Sequence, residues 1–428
     1  MSWRRALYSA ALTLLTPLAF TRLAWKGRSN PDYRVRWGER LGFVATTHVK
    51  LFPVKPRLWI HAVSVGEVIA ATPLIRAWKV QRPDWAVLVT TTTPTGSRQL
   101  RRAFGETIEH VYLPYDLPGA VRRFFKRTQP TRGVIMETEL WPNLFAEARQ
   151  RGIPLILANA RLSERSLRGY AKVRGLVAET LACVSLIAAR DAQDVARFIT
   201  LGASQDKVEA LGNLKFDLEI ALETRECGAK WRELFGKERL VWIAASTHPG
   251  EEEQVLAAHQ QVMAQNRDAL LLLAPRHPER ADDVVRLLQT QGFVLARRSN
   301  LNVGANLSHL QQDVSVVLID TLGELMDFYA ASDVAFVGGS LVPHGGHNPL
   351  EPLALGLPVI SGEAVFNFAE IYAAMQSKGL VKMVNDAPSL AEAVLMSAQE
   401  QEDAADRGAA FLAEHRGTLQ RLLARLSL

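Results

Sequence analysis

Residues 58–65, LWIHAVSV, run through Gly66 into EVIAATPLIRAWKV at residues 67–80, and the change of period between them decides the fold. The first run is short, apolar and β-rich. The second places Val68, Ala71, Leu74, Ile75 and Trp78 on one helical face. The same pairing continues outward. Strands are predicted at 85–92, 110–115, 133–137, 154–158 and 185–189, and again at 240–245, 269–274, 293–296, 314–319, 334–337 and 358–360. Short β-rich runs alternating with helices give a parallel sheet covered on both faces. No internal sequence repeat relates the halves. At 428 residues the chain exceeds what one core serves. The expected class is α/β, with two Rossmann-like domains facing a central cleft and an N-terminal membrane anchor helix. The expected segments are an anchor at 1–28, an acceptor-binding domain at 29–216, a nucleotide-sugar-binding domain at 217–400 and a helical end at 401–428. The polar stretch Asp217 to Lys237 is the predicted boundary, and a helical tail from Ser389 to Leu428 is expected to pack back on the first domain.

Composition narrows the function. The chain is 48% hydrophobic and 22% charged, with net charge +6, which suits an anionic lipid surface and is too weak for nucleic acid. Cys183 and Cys227 are too distant in sequence for a disulfide framework, so a reducing compartment is expected. Arg4 and Arg5 precede the apolar run Ala6 to Phe20, with Arg22, Lys26 and Arg28 beyond it. Six Leu and Phe residues give that run roughly −3 kcal/mol toward insertion, before Pro17 and Arg22 subtract. No A-x-A cleavage site follows it. An uncleaved anchor is expected, with spanning and in-plane placement both open.

Ligands of open α/β sheets bind beyond the carboxyl ends of the strands, where the chemistry-bearing residues fall. HAVSVGE (His61 to Glu67) has one glycine, so the dinucleotide fingerprint is absent. Glu67 in a first helical turn complements the helix dipole or serves as a general base for a hydroxyl. METELWPN (Met136 to Asn143) supplies Glu137 and Glu139, of which Glu139 could instead cap the helix that Pro142 starts. With Ser64, Gly66 and Arg161, these are the acceptor-side candidates. Three second-half loops suit a nucleotide phosphate: Ser246 and Thr247 in STHPG, Arg276 with His277, and the glycines of Gly338-Gly339-Ser340 and Gly345-Gly346-His347-Asn348. Asn348-Pro349-Leu350-Glu351 also reads as a capping box, or Glu351 meets ribose hydroxyls. No Asp-x-Asp pair is present to hold a metal ion, so leaving-group charge falls to Arg276, helix N-termini and backbone donors. Arg122-Arg123-Phe124-Phe125-Lys126-Arg127 is either an amphipathic helix or a membrane-facing patch.

HAVSVGE, TTTPTG (Thr91 to Gly96), YLPYD (Tyr112 to Asp116), METELWPN, NARLS (Asn159 to Ser163), GNLKFD (Gly212 to Asp217), APRHPER (Ala274 to Arg280) and GGSLVPHGGHNPLEP (Gly338 to Pro352) together resemble the 3-deoxy-D-manno-octulosonic acid (Kdo) transferases of lipopolysaccharide synthesis. The resemblance extends from the N-terminus to about residue 400. It implies a GT-B fold, CMP-Kdo as donor, a tetraacylated and bisphosphorylated lipid A precursor as acceptor, and inverting transfer without metal or cofactor. It also implies a cytoplasmic-side, inner-membrane location. By motif position Glu67 becomes the expected catalytic base, and Arg276, His277, Gly338 to Ser340, Gly345 to Asn348 and Glu351 belong to the CMP side. Two rivals share the architecture: a nucleotide-sugar epimerase, and a non-catalytic nucleotide-binding membrane protein.

Overall fold

A computed structural model describes residues 2–28, 30–45, 47–49, 55–301 and 313–427. The chain divides into two compact units, Met1–Asp217 with His415–Leu428, and Leu218–Glu414.

The first unit is built on β1 (Arg57–His61), β2 (Ala86–Thr91), β3 (Glu109–Tyr112), β4 (Arg132–Met136), β5 (Leu155–Ala160), β6 (Leu186–Ala189) and β7 (Val208–Ala210). They form one parallel sheet in the order β3-β2-β1-β4-β5-β6-β7. Every residue of β1 is buried, as helices on both faces require. Alternation divides its side chains between two cores. Trp59 packs edge-on against Phe124 and Phe125 at 5.5 and 5.6 Å on one face, while Leu58 and Ile60 join Leu74, Ile75 and Trp78 on the other. The predicted Glu67–Val80 helix is observed as Val65–Gln81. The Arg122–Arg127 segment lies in helix Pro118–Thr128, where Phe124 and Phe125 are core residues. Burial by the sheet removes the aromatics that a membrane-facing patch would have needed.

The second unit repeats the scheme with β8 (Val241–Thr247), β9 (Leu270–Pro275), β10 (Leu295–Arg297), β11 (Val316–Leu318), β12 (Val334–Val337), β13 (Val359–Gly362) and β14 (Val381–Val384). Its parallel order is β10-β11-β9-β8-β12-β13-β14. The edge strands β7 and β14 escape the sequence reading because VEA and VKMV are short and carry a charge.

The polar stretch expected as a boundary contains helix Leu222–Phe235, whose Trp231 and Phe235 are buried in the second unit's core. The predicted tail is three helices. Helix Gln401–His415 packs on the second unit so closely that a Cβ on Gly408 would lie 2.8 Å from Leu353. That contact carries this unit past the expected end at 400. Only helix Thr418–Ser427 joins the first unit: Asp217 accepts from Gly417 and Leu419 N–H at 2.6 and 2.7 Å, and Leu419, Leu422, Leu423 and Leu426 complete its core.

Candidate active site

In the first sheet the chain reverses direction of growth at β1 and β4, which are neighbours. A crevice opens beyond the carboxyl ends of two such strands. The loop after β1 delivers Glu67 there, and the end of β4 delivers Glu137 and Glu139. Glu67 Oε2 accepts the Val63 N–H at 2.8 Å, and Oε1 accepts the Ser64 hydroxyl at 3.3 Å. Burial raises its pKa to about 7. The Val63 N–H acts against that rise, while the nearby Glu137 and Glu139 carboxylates add to it. Burial also raises Glu139, reinforced by Glu137. A carboxyl group poised near neutrality can take up a proton at physiological pH. Its bonds to Val63 and Ser64 also satisfy the simpler reading of a first-turn carboxylate, so geometry supports both roles at once.

Glu137 sits at φ +55° and pairs with Arg161 at 3.3 Å; Asn159, at the end of β5, sits at φ +54°. Left-handed backbone at non-glycine strand ends stores strain of the kind that accumulates at functional sites. Glu139 does not cap the Pro142–Gln150 helix. Asp116 of YLPYD does, accepting from Asn143 and Leu144 N–H at 2.9 and 2.7 Å. Gly66 is exposed, and among the described residues no atom beyond its chain neighbours and its own helix backbone lies within 4 Å of where its Cβ would stand.

Beside these carboxylates lies a cavity of about 420 Å³, within the range of ligand pockets. Glu139, Val63, Thr92 and Thr93 line it from the sheet side, Arg40 from the short helix Trp37–Arg40, Tyr115 and Trp141 from neighbouring loops, and Ala19, Arg22, Leu23 and Lys26 from the N-terminal helix. Arg40 is buried, donates to the Thr92 carbonyl at 2.6 Å and lies over the Tyr112 ring at 4.2 Å. Sequence reasoning missed Arg40 and Tyr115, and took Arg22 and Lys26 only as flanking charges. YLPYD was the one available signal.

The second unit gathers its polar residues at the equivalent place, where β8 and β12 are neighbours. Here the structure corrects one expectation. The N–H groups of Gly339, Ser340 and Leu341 already hold an anion, the buried Glu251 carboxylate, at 2.7, 3.0 and 3.0 Å, with His248 N–H at 3.2 Å. Gly338 is glycine because a Cβ would stand 2.8 Å from that carboxylate. The Gly338–Ser340 amides are therefore committed inside the protein. In the Gly345–Asn348 loop Gly346 N–H donates to Gly339, whereas the N–H groups of Gly345, His347 and Asn348 make no backbone bond among the described residues.

Around that loop the side chains are mostly cationic or neutral donors. His248 Nε2 lies 3.0 Å from His347 Nε2, and the His248 ring stacks on His344 at 4.2 Å. Burial lowers His248 to about 4, helped by His344, His277 and Arg276; burial also lowers His347 to about 4, with Arg276 next in effect. Arg276 follows β9, is exposed, and forms no ion pair among the described residues. His277 pairs with Glu279 at 3.2 Å. Ser246 sits at φ +59°, and Thr247 is buried and donates to Glu252 at 3.2 Å. The capping box at Asn348 takes another form. Asn348 Oδ1 accepts from Leu350 N–H at 3.2 Å, while its Nδ2 donates to Glu351 Oε1 at 3.2 Å. Glu351 thus bonds the Asn348 side chain instead of its backbone, because the helix begins only at Leu350. Burial raises the Glu351 pKa against the Asn348 bond and Arg276. A cluster with this surplus of donors suits an anionic ligand.

Comparison with known proteins identifies the family of the chain. A family model of 3-deoxy-D-manno-octulosonic-acid transferases (kdotransferase) matches residues 35–218, and one of group 1 glycosyl transferases matches residues 241–410. The chain is 42% identical to the 3-deoxy-D-manno-octulosonic acid transferase of Haemophilus influenzae, over 98% of this chain and 97% of that one. It is 35% identical to the enzyme of that name from Bordetella pertussis, over 98% of each. In fold alone it is similar to the UDP-GlcNAc 2-epimerase of Neisseria meningitidis, with a TM-score of 0.56 at 14% identity over 82% of this chain and 94% of that one. Two parallel α/β units bearing these strand-end residues, with near full-length identity to such enzymes, make this chain a glycosyltransferase and a member of the 3-deoxy-D-manno-octulosonic acid transferase family.

Proposed function

We propose that the chain transfers Kdo from CMP-Kdo to a tetraacylated, bisphosphorylated lipid A precursor, with inversion and without a metal ion, at the cytoplasmic face of the inner membrane. The carrying observation is Glu67: a half-buried carboxylate with a pKa near 7 beside an unfilled glycine position and a cavity lined by cations and aromatics. In this reading the acceptor's phosphorylated sugar occupies the cavity near Arg22, Lys26 and Arg40, and Gly66 leaves room for its hydroxyl. Glu67 takes the hydroxyl proton as the oxygen bonds the anomeric carbon of Kdo. The carbon–oxygen bond to CMP breaks, and its electron pair leaves on the phosphate. In the second unit Arg276, His277 and the amides of Gly345 and His347 meet that charge, and Glu351 accepts from the ribose. Ser246 and Thr247 shape the floor of the same loop cluster, while Glu137 and Arg161 position the acceptor.

The epimerase alternative rests on fold similarity alone. Incubation of the full chain with CMP-Kdo and the lipid precursor, read by mass spectrometry, separates the two. The expected result is lipid carrying added Kdo with equimolar CMP, and the same spectrum counts the sugars added. Altered nucleotide sugar with unmodified lipid would overturn the proposal.

A further inference from the structure

Trp3–Lys26 is long and apolar enough to cross a membrane, yet it is held to the first unit by contacts near its start and along its last two turns. Ser2, Ser9, Thr16 and Leu23, seven residues apart on one helical face, are all partly or fully covered. Arg4 pairs with Glu179 at 2.7 Å near the start. Ser9, 7% exposed, accepts from Asn143 Nδ2 at 2.9 Å, and Tyr8 lies beside the buried Asp116 that caps the Pro142–Gln150 helix. Further along, Phe20 packs on Trp37 and Tyr115 at 5.3 and 5.5 Å. At the end Lys26 lies over Tyr33 at 5.4 Å. The opposite face is apolar and bare: Leu7, Leu14, Leu18 and Trp25 are 63–80% exposed.

A spanning helix would carry Tyr8 and Ser9 into hydrocarbon and take the Ser9 hydroxyl away from the buried Asn143 side chain, whereas polar groups in lipid must be satisfied. A helix docked through its polar face with leucine and tryptophan on the other has the layout of an in-plane element. Arg22 and Arg28, exposed at its end, complement anionic head groups. We infer that the N-terminal helix lies in the plane of the membrane as a fixed part of the first unit, its Leu7–Trp25 stripe buried in one leaflet of an anionic bilayer. The helix then remains a wall of the 420 Å³ cavity while bound to lipid. The inference rests on the membrane location proposed above.

The test uses the full chain with Cys183→Ser and Ser2→Cys, added to preformed phosphatidylethanolamine–phosphatidylglycerol vesicles and treated with an impermeant maleimide. Native Cys227, in the second unit and partly exposed, reports the outward-facing copies. The in-plane helix predicts that position 2 and Cys227 label to the same extent before detergent. Labelling of Cys227 alone, with position 2 appearing only after detergent, would establish a span and overturn the inference. Failure of the protein to float with vesicles would refute the membrane location itself, and the inference with it. Independently, Leu14→Glu with Leu18→Glu is expected to reduce flotation at least about tenfold with CMP affinity unchanged; undiminished flotation would remove the stripe's role.

Discussion

The Glu67 carboxyl predicts a specific pH dependence. With a pKa of about 7, it is about 90% ionised one pH unit higher and about 10% one unit lower. If its ionised form takes the acceptor proton, turnover at saturating donor and lipid falls about tenfold per pH unit below about 7. A carboxyl at its ordinary value of about 4.3 would change that rate less than twofold between pH of about 8 and about 5.5. The structure also says how to move the limb. After burial, the causes raising this group are Glu137 and Glu139. Replacing an anionic neighbour by an uncharged isostere removes repulsion, so Glu139→Gln shifts the limb to lower pH and raises the rate at about pH 6 relative to that at about pH 8. Initial rates from quantified lipid product check this. Saturating donor matters, because the histidines of the second unit would otherwise contribute their own pH dependence. A flat profile, or a limb that Glu139→Gln leaves in place, would refute the reasoning.

Three further outcomes follow from the second unit. Glu351→Ala should weaken CMP binding more than about tenfold by calorimetry, as for a lost bond to a charged acceptor; unchanged affinity with a lower Tm would make Glu351 a helix-start residue only. Glu251→Ala should destabilise this unit by about 1–3 kcal/mol for each donor left unsatisfied, because the N–H groups of His248, Gly339, Ser340 and Leu341 lose their acceptor; an unchanged melting curve would contradict this. His248 and His347, held neutral with pKa values near 4, should be raised by a bound phosphate. CMP binding then takes up protons and strengthens as pH falls below that raised value toward about 4, which calorimetry in buffers of different ionisation enthalpy measures directly.

The alternation of β-rich runs and helices was legible because fully buried strands such as LWIH read as near-continuous apolar stretches. The edge strands VEA and VKMV were not, since an edge position tolerates charge and supplies too few apolar residues to show a period. Glu67 and the Arg276 and Gly345 loops were singled out because they follow strands. The commitment of Gly339 and Ser340 to Glu251 was hidden: the carboxylate lies 88 residues away from Gly339 in the chain, and a glycine-rich loop reads the same whether its anion is a ligand or a side chain. The cavity was hidden for a related reason. Arg22, Arg40, Tyr115 and Glu139 are brought together by helix docking, which no local pattern encodes. The Asn348 capping box failed by one residue, because the helix starts at Leu350 and Asn348 bonds Glu351 through its side chain.

The most direct test of the central claim, that proton removal by Glu67 is separate from donor binding, is Glu67→Gln in the full chain, with CMP-Kdo affinity and single-turnover transfer measured on the same preparation. The account predicts unchanged affinity and a transfer rate at least about a hundredfold lower, as for loss of a general base. Near-normal transfer by the folded variant, or affinity falling in step with the rate, would contradict it.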